Sequence, residues 1–300
     1  MAQGRSLEDW TLLGVLVAVW GTAFVFIASG VETLPPLTVA AGRIAVAALV
    51  LAAAVPLTGR RFPRGRIWWH FLALAVIGNC LPFFTIAWGQ ERVASGLAGV
   101  LMGIMPLTTL VLAHFWVAGE RMTRGKAAGF LLGFTGVVVL TGPEALLELG
   151  GSPSDLLRQL AVLAGAVLYA SNAILARHLP ATDALVASAA TLLVATAVIA
   201  PLVLLSERPF PPEASTASWL SVVWLGLGAT AAATIVYYRL IASAGPTFFS
   251  YINFLIPIVA LLTGVAFRSE PLSWHPVAAL ALVLGGLALS RWSDGRGDVG

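Results

Sequence analysis

The chain has 300 residues, of which 59% are apolar and only 10% charged, with a mean hydropathy of +0.92. A soluble globular protein carries about 25% charged residues, so a chain this poor in charge could not cover its surface in water, and lipid must cover most of it. Ten spans of roughly 20 residues would use about two-thirds of the chain, which excludes a second soluble module such as an ATPase, and the single cysteine, Cys80, excludes an intramolecular disulfide or a thiolate metal site.

The apolar runs, taken in order, predict ten membrane-spanning helices. Trp10–Gly30 is longer than the roughly 7–15 apolar residues of a signal peptide and reads as a retained first span. Pro36–Leu57, Trp68–Gln90, Val93–Ala118 and Gly125–Thr141 follow. A polar stretch, Gly142–Leu156, is the longest loop. Leu157–Arg177, Asp183–Leu205, Trp219–Ala242, Thr247–Phe267 and Trp274–Trp292 complete the set. Lipid forces the helical reading, because unpaired backbone is not tolerated there and barrel strands are only about 9–11 residues long.

Basic residues predict the orientation. With the N-terminus cytoplasmic, the inner segments hold 12 Lys and Arg residues and the outer ones 4, Arg92, Arg158, Arg208 and Arg268. That asymmetry in short loops puts both termini inside. The pI near 9.5 is therefore a topology signal and not a nucleic-acid footprint. Trp10, Trp68, Trp69, Trp219, Trp274 and Trp292 fall near span ends, where their rings favour the headgroup level.

The two halves repeat. Glu120-Arg-Met-Thr123 parallels Glu270-Pro-Leu-Ser273 at an offset of 150 residues. Gly78 and Gly228 repeat at 150, Gly136 and Gly286 at 150, Pro106 and Pro257 at 151, and Trp20 and Tyr169 at 149. Five spans per half is an odd number, so the halves enter the membrane in opposite senses. The predicted fold is thus all-α, ten transmembrane helices in two inverted five-helix repeats around a central cavity, with the site near the midplane between them. Residues 1–141 form the first repeat, 142–156 an extracytoplasmic connection, and 157–300 the second repeat with a short cytoplasmic tail.

These residues carry a family resemblance. Ala18-Val-Trp20-Gly-Thr-Ala-Phe24 and Gly42-Arg43, then Pro106 followed by Gly119-Glu120-Arg121, and Pro257 followed by Glu270-Pro271, resemble EamA modules of the drug/metabolite transporter superfamily. The overall pattern is most similar to the bacterial YddG-type exporters of aromatic amino acids. The resemblance implies a basket in which spans one, three, four, six, eight and nine surround the cavity, an inner-membrane location, and efflux of metabolites or drugs.

Site residues can be picked independently. Pro82, Pro106 and Pro257 lie inside spans, where proline frees a carbonyl and permits a bend; each serves as a gate or as a static kink. Asn79, Asn172 and Asn253 need partners in hydrocarbon. They either meet a zwitterionic ligand or make interhelical hydrogen bonds of about 0.6 kcal/mol. Trp20, Phe83, Tyr169, Tyr237 and Tyr251 offer broad apolar walls with polar tips, unless they face lipid, and Met102 adds a soft contact. Together they form the expected contact set for aromatic amino acids or methionine.

The charges narrow the mechanism. No Asp or Glu occupies the middle third of a span, so a carboxylate proton relay has no candidate, and uniport or exchange is expected. The runner-up, proton-coupled efflux of hydrophobic cationic drugs, commonly wants such a carboxylate. Arg43 alone lies well inside a span. Pairing with carbonyls or snorkelling suits it better than ligand contact, and one arginine is too few for phosphate recognition. Glu120 and Glu270 read as ties between helix ends, and His114 as a buried imidazole. Gly129-x-x-x-Gly133, Gly136, Gly285 and Gly286 suit close packing against the bundle or another copy. No H-E-x-x-H or complete P-loop occurs, so an enzyme is not expected, and neither are a cofactor, a metal or a required protein partner.

Overall fold

A computed structural model describes residues 6–116, 123–141, 153–176, 178–206, 208–249, 252–271 and 274–297. Within them the chain is helical throughout, with no strand. The helices are α1 (Leu7–Val31), α2 (Pro36–Leu57), α3 (Trp68–Ala75), α4 (Leu81–Gly89), α5 (Ser95–Met102), α6 (Met105–Trp116), α7 (Arg124–Thr141), α8 (Pro153–Ala176), α9 (Ala184–Leu204), α10 (Thr216–Gly226), α11 (Ala233–Phe249), α12 (Ile252–Arg268) and α13 (Trp274–Gly297). Two π-helical turns, Val76–Cys80 and Leu227–Ala232, join α3 to α4 and α10 to α11.

Seven of the helical stretches are long and apolar enough to cross a membrane, among them Trp68–Gly89, Ser95–Trp116 and Thr216–Tyr237. Two shorter apolar helices, Leu255–Arg268 and Trp274–Gly286, accompany them. Leu49, Phe115, Leu202, Leu220 and Leu262 stand exposed on these helices, as lipid-facing side chains do. This is a membrane protein.

Local signals set several boundaries. Helix α1 begins at Leu7, ahead of the predicted Trp10, because Ser6 and Asp9 form a reciprocal capping box. Asp183 caps α9, accepting from the backbone N–H of Leu185 and Val186, and pairs with Arg60 at 2.9 Å. Partial burial pushes the Asp183 carboxyl up, but the Arg60 bond and the two backbone donors outweigh it and hold it below the usual range. Helix α11 runs on to Phe249 through Gly245-Pro246, in the gap between the predicted spans Trp219–Ala242 and Thr247–Phe267, so α12 starts at Ile252 and not at Thr247. A proline's φ is helix-compatible, and one turn can absorb the lost bond. The span predicted at Val93–Ala118 is two helices, α5 and α6, interrupted at Gly103-Ile104.

Packing sorts the helices into a centre and two flanking pairs. Helix α2 buries Ala40, Ile44, Ala47 and Leu51 against Val186, Ala189 and Leu192 of α9. Helix α7 packs on α13 through glycine, where a Cβ on Gly286 would collide with the Gly129–Gly133 backbone and one on Gly136 would lie 2.9 Å from the Ala279 carbonyl. Between these pairs, α1, α4, α5, α8, α10 and α12 enclose the cluster of Phe24, Ile86, Leu101, Val162, Leu225 and Ala260.

The bundle has two unlike ends. At one, the second half meets the first through Arg268–Glu32 at 2.8 Å, Arg92–Asp155 at 3.4 Å, and Arg158, which pairs with Glu91, donates to the Trp88 carbonyl at 2.6 Å and lies over the Trp88 ring. Glu270 caps α5 there. Its Oε1 accepts from Ser95 N and Oγ at 2.7 and 2.5 Å, and its Oε2 accepts from Gly96 N at 2.9 Å. The left-handed turn at Ser269 (φ 53°) bends the chain back to deliver that carboxylate. At the other end, Asp9 accepts from Ser243 at 2.6 Å and Arg60 meets Asp183.

If close approach holds α7 and α13 together, Gly286→Leu must lower the thermal midpoint of the detergent-solubilised protein. Gly14→Leu, at a position where a Cβ meets open space, should leave it nearly unchanged; equal effects would contradict the packing argument.

Candidate functional site

The π-helical turns shape the middle of the bundle. A π turn frees backbone carbonyls from the regular ladder, and such turns recur at functional sites. Here one side chain in each turn satisfies a carbonyl five residues back: Asn79 Nδ2 donates to Leu74 O at 3.3 Å, and Thr230 Oγ1 donates to Leu225 O at 2.8 Å. The two donors are 151 residues apart, and so are their acceptors. Each π turn also receives a residue from the other half. A Cβ on Gly78 would collide with the Asn172 side chain of α8, and Trp20 of α1 donates from Nε1 to Ala229 O at 3.0 Å.

The predicted residues fall into two neighbouring groups. In one, Trp20 lies 6.4 Å from Tyr237 and 6.3 Å from Phe249, which are themselves 4.8 Å apart. In the other, Phe83 meets Tyr169 edge-on at 6.2 Å. Asn172 lies one turn beyond Tyr169 on α8, and its Oδ1 is buried without a hydrogen-bond partner. Met102 packs at the edge of the same cluster as Trp20 and Tyr169. Asn253 is half-buried in the first turn of α12, and Tyr251 lies outside the described residues.

The prolines take different roles. Pro82 is in the first turn of α4, directly after the π turn, and Pro106 is the second residue of α6, just past the Gly103 break. Of these three, Pro257 is the one in the interior of a continuous helix, α12, and a Cβ on Gly103 would lie 3.6 Å from its Cγ.

Arg43 has partners other than those expected from the sequence. It is 7% exposed and neither snorkels nor pairs with carbonyls. Its Nε and Nη2 donate to Thr230 Oγ1 at 3.2 and 3.1 Å, and its guanidinium lies 3.9 Å over the Phe83 ring. No acidic side chain among the described residues pairs with it. An arginine at mid-span costs roughly 2.5–3.5 kcal/mol on insertion scales, while a desolvated cation–π contact returns about 2 kcal/mol. Thr230 was missed, although its offset from Asn79 marked it. His114 is exposed, not buried; it sits in the last turns of α6 and faces Phe115 at 4.9 Å. Glu120 lies outside the described residues.

Two crevices open on the flank between α1 and α10–α11. One, of about 450 Å³, is lined by Phe26, Ser29, Ser221, Trp224 and Arg268; the other, of about 290 Å³, by Val15, Val19, Leu227 and Val236. No predicted site residue lines either.

A polytopic helical bundle with polar side chains gathered at paired breaks in its middle is an arrangement that membrane carriers use for their substrate sites. The profile of the EamA-like transporter family matches residues 9–142 and again 157–292, and the chain belongs to that family. It is 27% identical to an uncharacterized transporter of Archaeoglobus fulgidus, over 94% of this chain and 98% of that one. It is also 27% identical to the inner membrane transporter YedA of Escherichia coli, over 91% and 88%, and to a probable terminal-alkyne amino-acid exporter of Streptantibioticus cattleyicolor, over 94% and 90%. A solved crystal structure shares the fold, with a TM-score of 0.67 at 24% identity over 98% of this chain and 99% of that one.

The π-turn bonds give a direct test. Thr230→Val strands a buried carbonyl and the Arg43 donors, and should cost about 1–3 kcal/mol in thermal unfolding, whereas Thr230→Ser should stay close to the parent. Equal losses would assign the effect to packing alone.

Proposed function

We propose that this protein is a secondary transporter of the bacterial inner membrane that exports small amphipathic metabolites, with aromatic and hydrophobic amino acids as the favoured substrates. In this reading ten helices form two oppositely inserted halves, residues 1–141 and 157–300, joined by 142–156, with both termini cytoplasmic. Rocking of one half against the other exposes the midplane residues alternately to each side. The observation that carries the proposal is the pair of π turns at equivalent positions, each with a polar side chain on its freed carbonyl and each contacted by the other half. The doubled family match and the amino-acid exporter among the relatives support it.

The asymmetry of the ends fits a carrier closed to the outside. By the charge rule, the end bearing Glu270 is extracytoplasmic. There α5 and α12 touch through glycine: a Cβ on Gly99 would collide with Ala260, and one on Gly264 with the Glu270 carboxylate. Glu270 and Arg268 close the same seam with charge. Opening outward requires these contacts to part. With no carboxylate in the middle of a span, substrate moves by uniport or exchange, without proton coupling.

Proteoliposomes should take up labelled tryptophan, phenylalanine or methionine saturably, and a pH gradient should not speed the flux. No flux for any of the three rejects the substrate class, and acceleration by the gradient rejects uniport and exchange. Asn79→Ala and Asn253→Ala should reduce flux at normal expression; unchanged flux removes those residues from the site.

The closed seam is testable separately. In a Cys80→Ser background, Ala166→Cys should react slowly with an impermeant maleimide added outside, and Glu270→Gln should accelerate labelling several-fold. Labelling that is indifferent to Glu270 would mean the carboxylate takes no part in closure.

A further inference from the structure

Resting on the transport site proposed above, we infer that Arg43 is the carboxylate anchor of that site, so that its substrates are carboxylates, and that Asn172 Oδ1 receives an ammonium group on those that carry one. The guanidinium has two forks. Its Nε–Nη2 side is spent on the Thr230 hydroxyl, which fixes the plane of the group over Phe83. The Nη1–Nη2 end makes no other hydrogen bond and keeps the geometry that grips a carboxylate through two parallel N–H···O bonds.

Position argues for a ligand and against a structural tie. Charged side chains inside a membrane commonly pair with an opposite charge or with backbone carbonyls; Arg43 has one neutral hydroxyl and an aromatic face. Thr230 belongs to a π turn of the second half and Arg43 to α2 of the first, so the cation sits where the halves meet. The aromatic pair Phe83–Tyr169 adjoins it at 6.2 Å between rings. Asn172 shares the Tyr169 face of α8, since residues three apart are neighbours on a helix. Its buried Oδ1, which lies against Gly78, has no hydrogen-bond partner. A cation with no anion, an acceptor with no donor and an aromatic pair between their helices match the three parts of an aromatic amino acid.

Three probes separate these parts: L-tryptophan, L-tryptophanamide, in which a neutral amide replaces the carboxylate, and indole-3-propionate, which has no amine. Binding is read as the ligand-induced rise in unfolding temperature of the purified protein, and transport as competition against labelled tryptophan in proteoliposomes. The parent protein should bind tryptophan and indole-3-propionate and reject tryptophanamide by at least about 10-fold, a difference of about 1.4 kcal/mol. Arg43→Gln should abolish that preference, Arg43→Lys should keep part of it, and Asn172→Leu should weaken tryptophan while sparing indole-3-propionate. If tryptophanamide binds as well as tryptophan to the parent protein, the anchor is wrong, whether or not Arg43→Gln folds. Flux of tryptophan with an unchanged KM in Arg43→Gln overturns it too. Binding of indole-3-propionate that depends on Arg43, without binding or transport of any amino acid, keeps the anchor and rejects the amino-acid reading. Failure of all three to bind rejects both.

Discussion

Every polar group inside a bilayer must find its partner within the protein, and this requirement governs the middle of the molecule. Regular helices meet it without help, since each carbonyl is taken up by the ladder. At Val76–Cys80 and Leu227–Ala232 the ladder is widened, and Asn79 and Thr230 each reach back five residues to a carbonyl. A widened turn that carries its own side-chain partner can bend or re-register without exposing bare backbone to lipid. These turns also lie where residues from the other half arrive, so the deformable points of the fold and its polar contacts coincide.

A second constraint is distance. Helices in lipid gain little from hydrophobic burial against one another and depend on close packing. Gly96 and Gly99 lie three residues apart on α5, a spacing that puts them on one face, toward Leu261 and Ala260 of α12, and Gly103, just past the helix, approaches Pro257. The same device joins Gly89 and Gly165 to their neighbours on α8 and α4, where added Cβ atoms would meet Val162 and Ile86. Such contacts are flat and small, so they can form and separate without interlocking side chains. The polar groups at the rim, Glu270 above all, supply the direction and specificity that the glycine surfaces lack.

Much of this was legible in the sequence because lipid makes it so. The apolar runs located most helix boundaries within a few residues, and the Gly78–Gly228 match at an offset of 150 falls in the two π turns. Boundaries were lost where local chemistry acted: the Ser6–Asp9 box extended α1, and Gly245-Pro246 failed to end α11. The structure places the predicted residues without testing their role. Trp20 and Tyr237 fall in one group, Phe83, Tyr169 and Asn172 in another, and Asn79 bonds within its own π turn. Arg43 was discounted because a sequence displays a charge without its partners, and Thr230 was passed over because a lone threonine in an apolar run looks like a back-bonded hydroxyl. Only the shared offset from Asn79 distinguished it, and that offset gains meaning once the π turns are seen.

The balance of charge around the two π turns bears on how a carrier of this design would cycle. The described residues place one cation there and no acid. Thr230 and Phe83 hold that cation when the site is empty, yet neither neutralises it, and occlusion from water raises the cost of an uncompensated charge. A bound carboxylate would cancel it, so that loaded halves move past one another around a neutral pocket. The empty carrier would have to make the same movement around a desolvated guanidinium. Rocking is then easier when loaded than when empty, which favours exchange over uniport. The kinetic sign of that preference is counterflow that outpaces efflux into substrate-free medium. Equal rates would mean that Thr230 and the Phe83 ring already offset the charge in full.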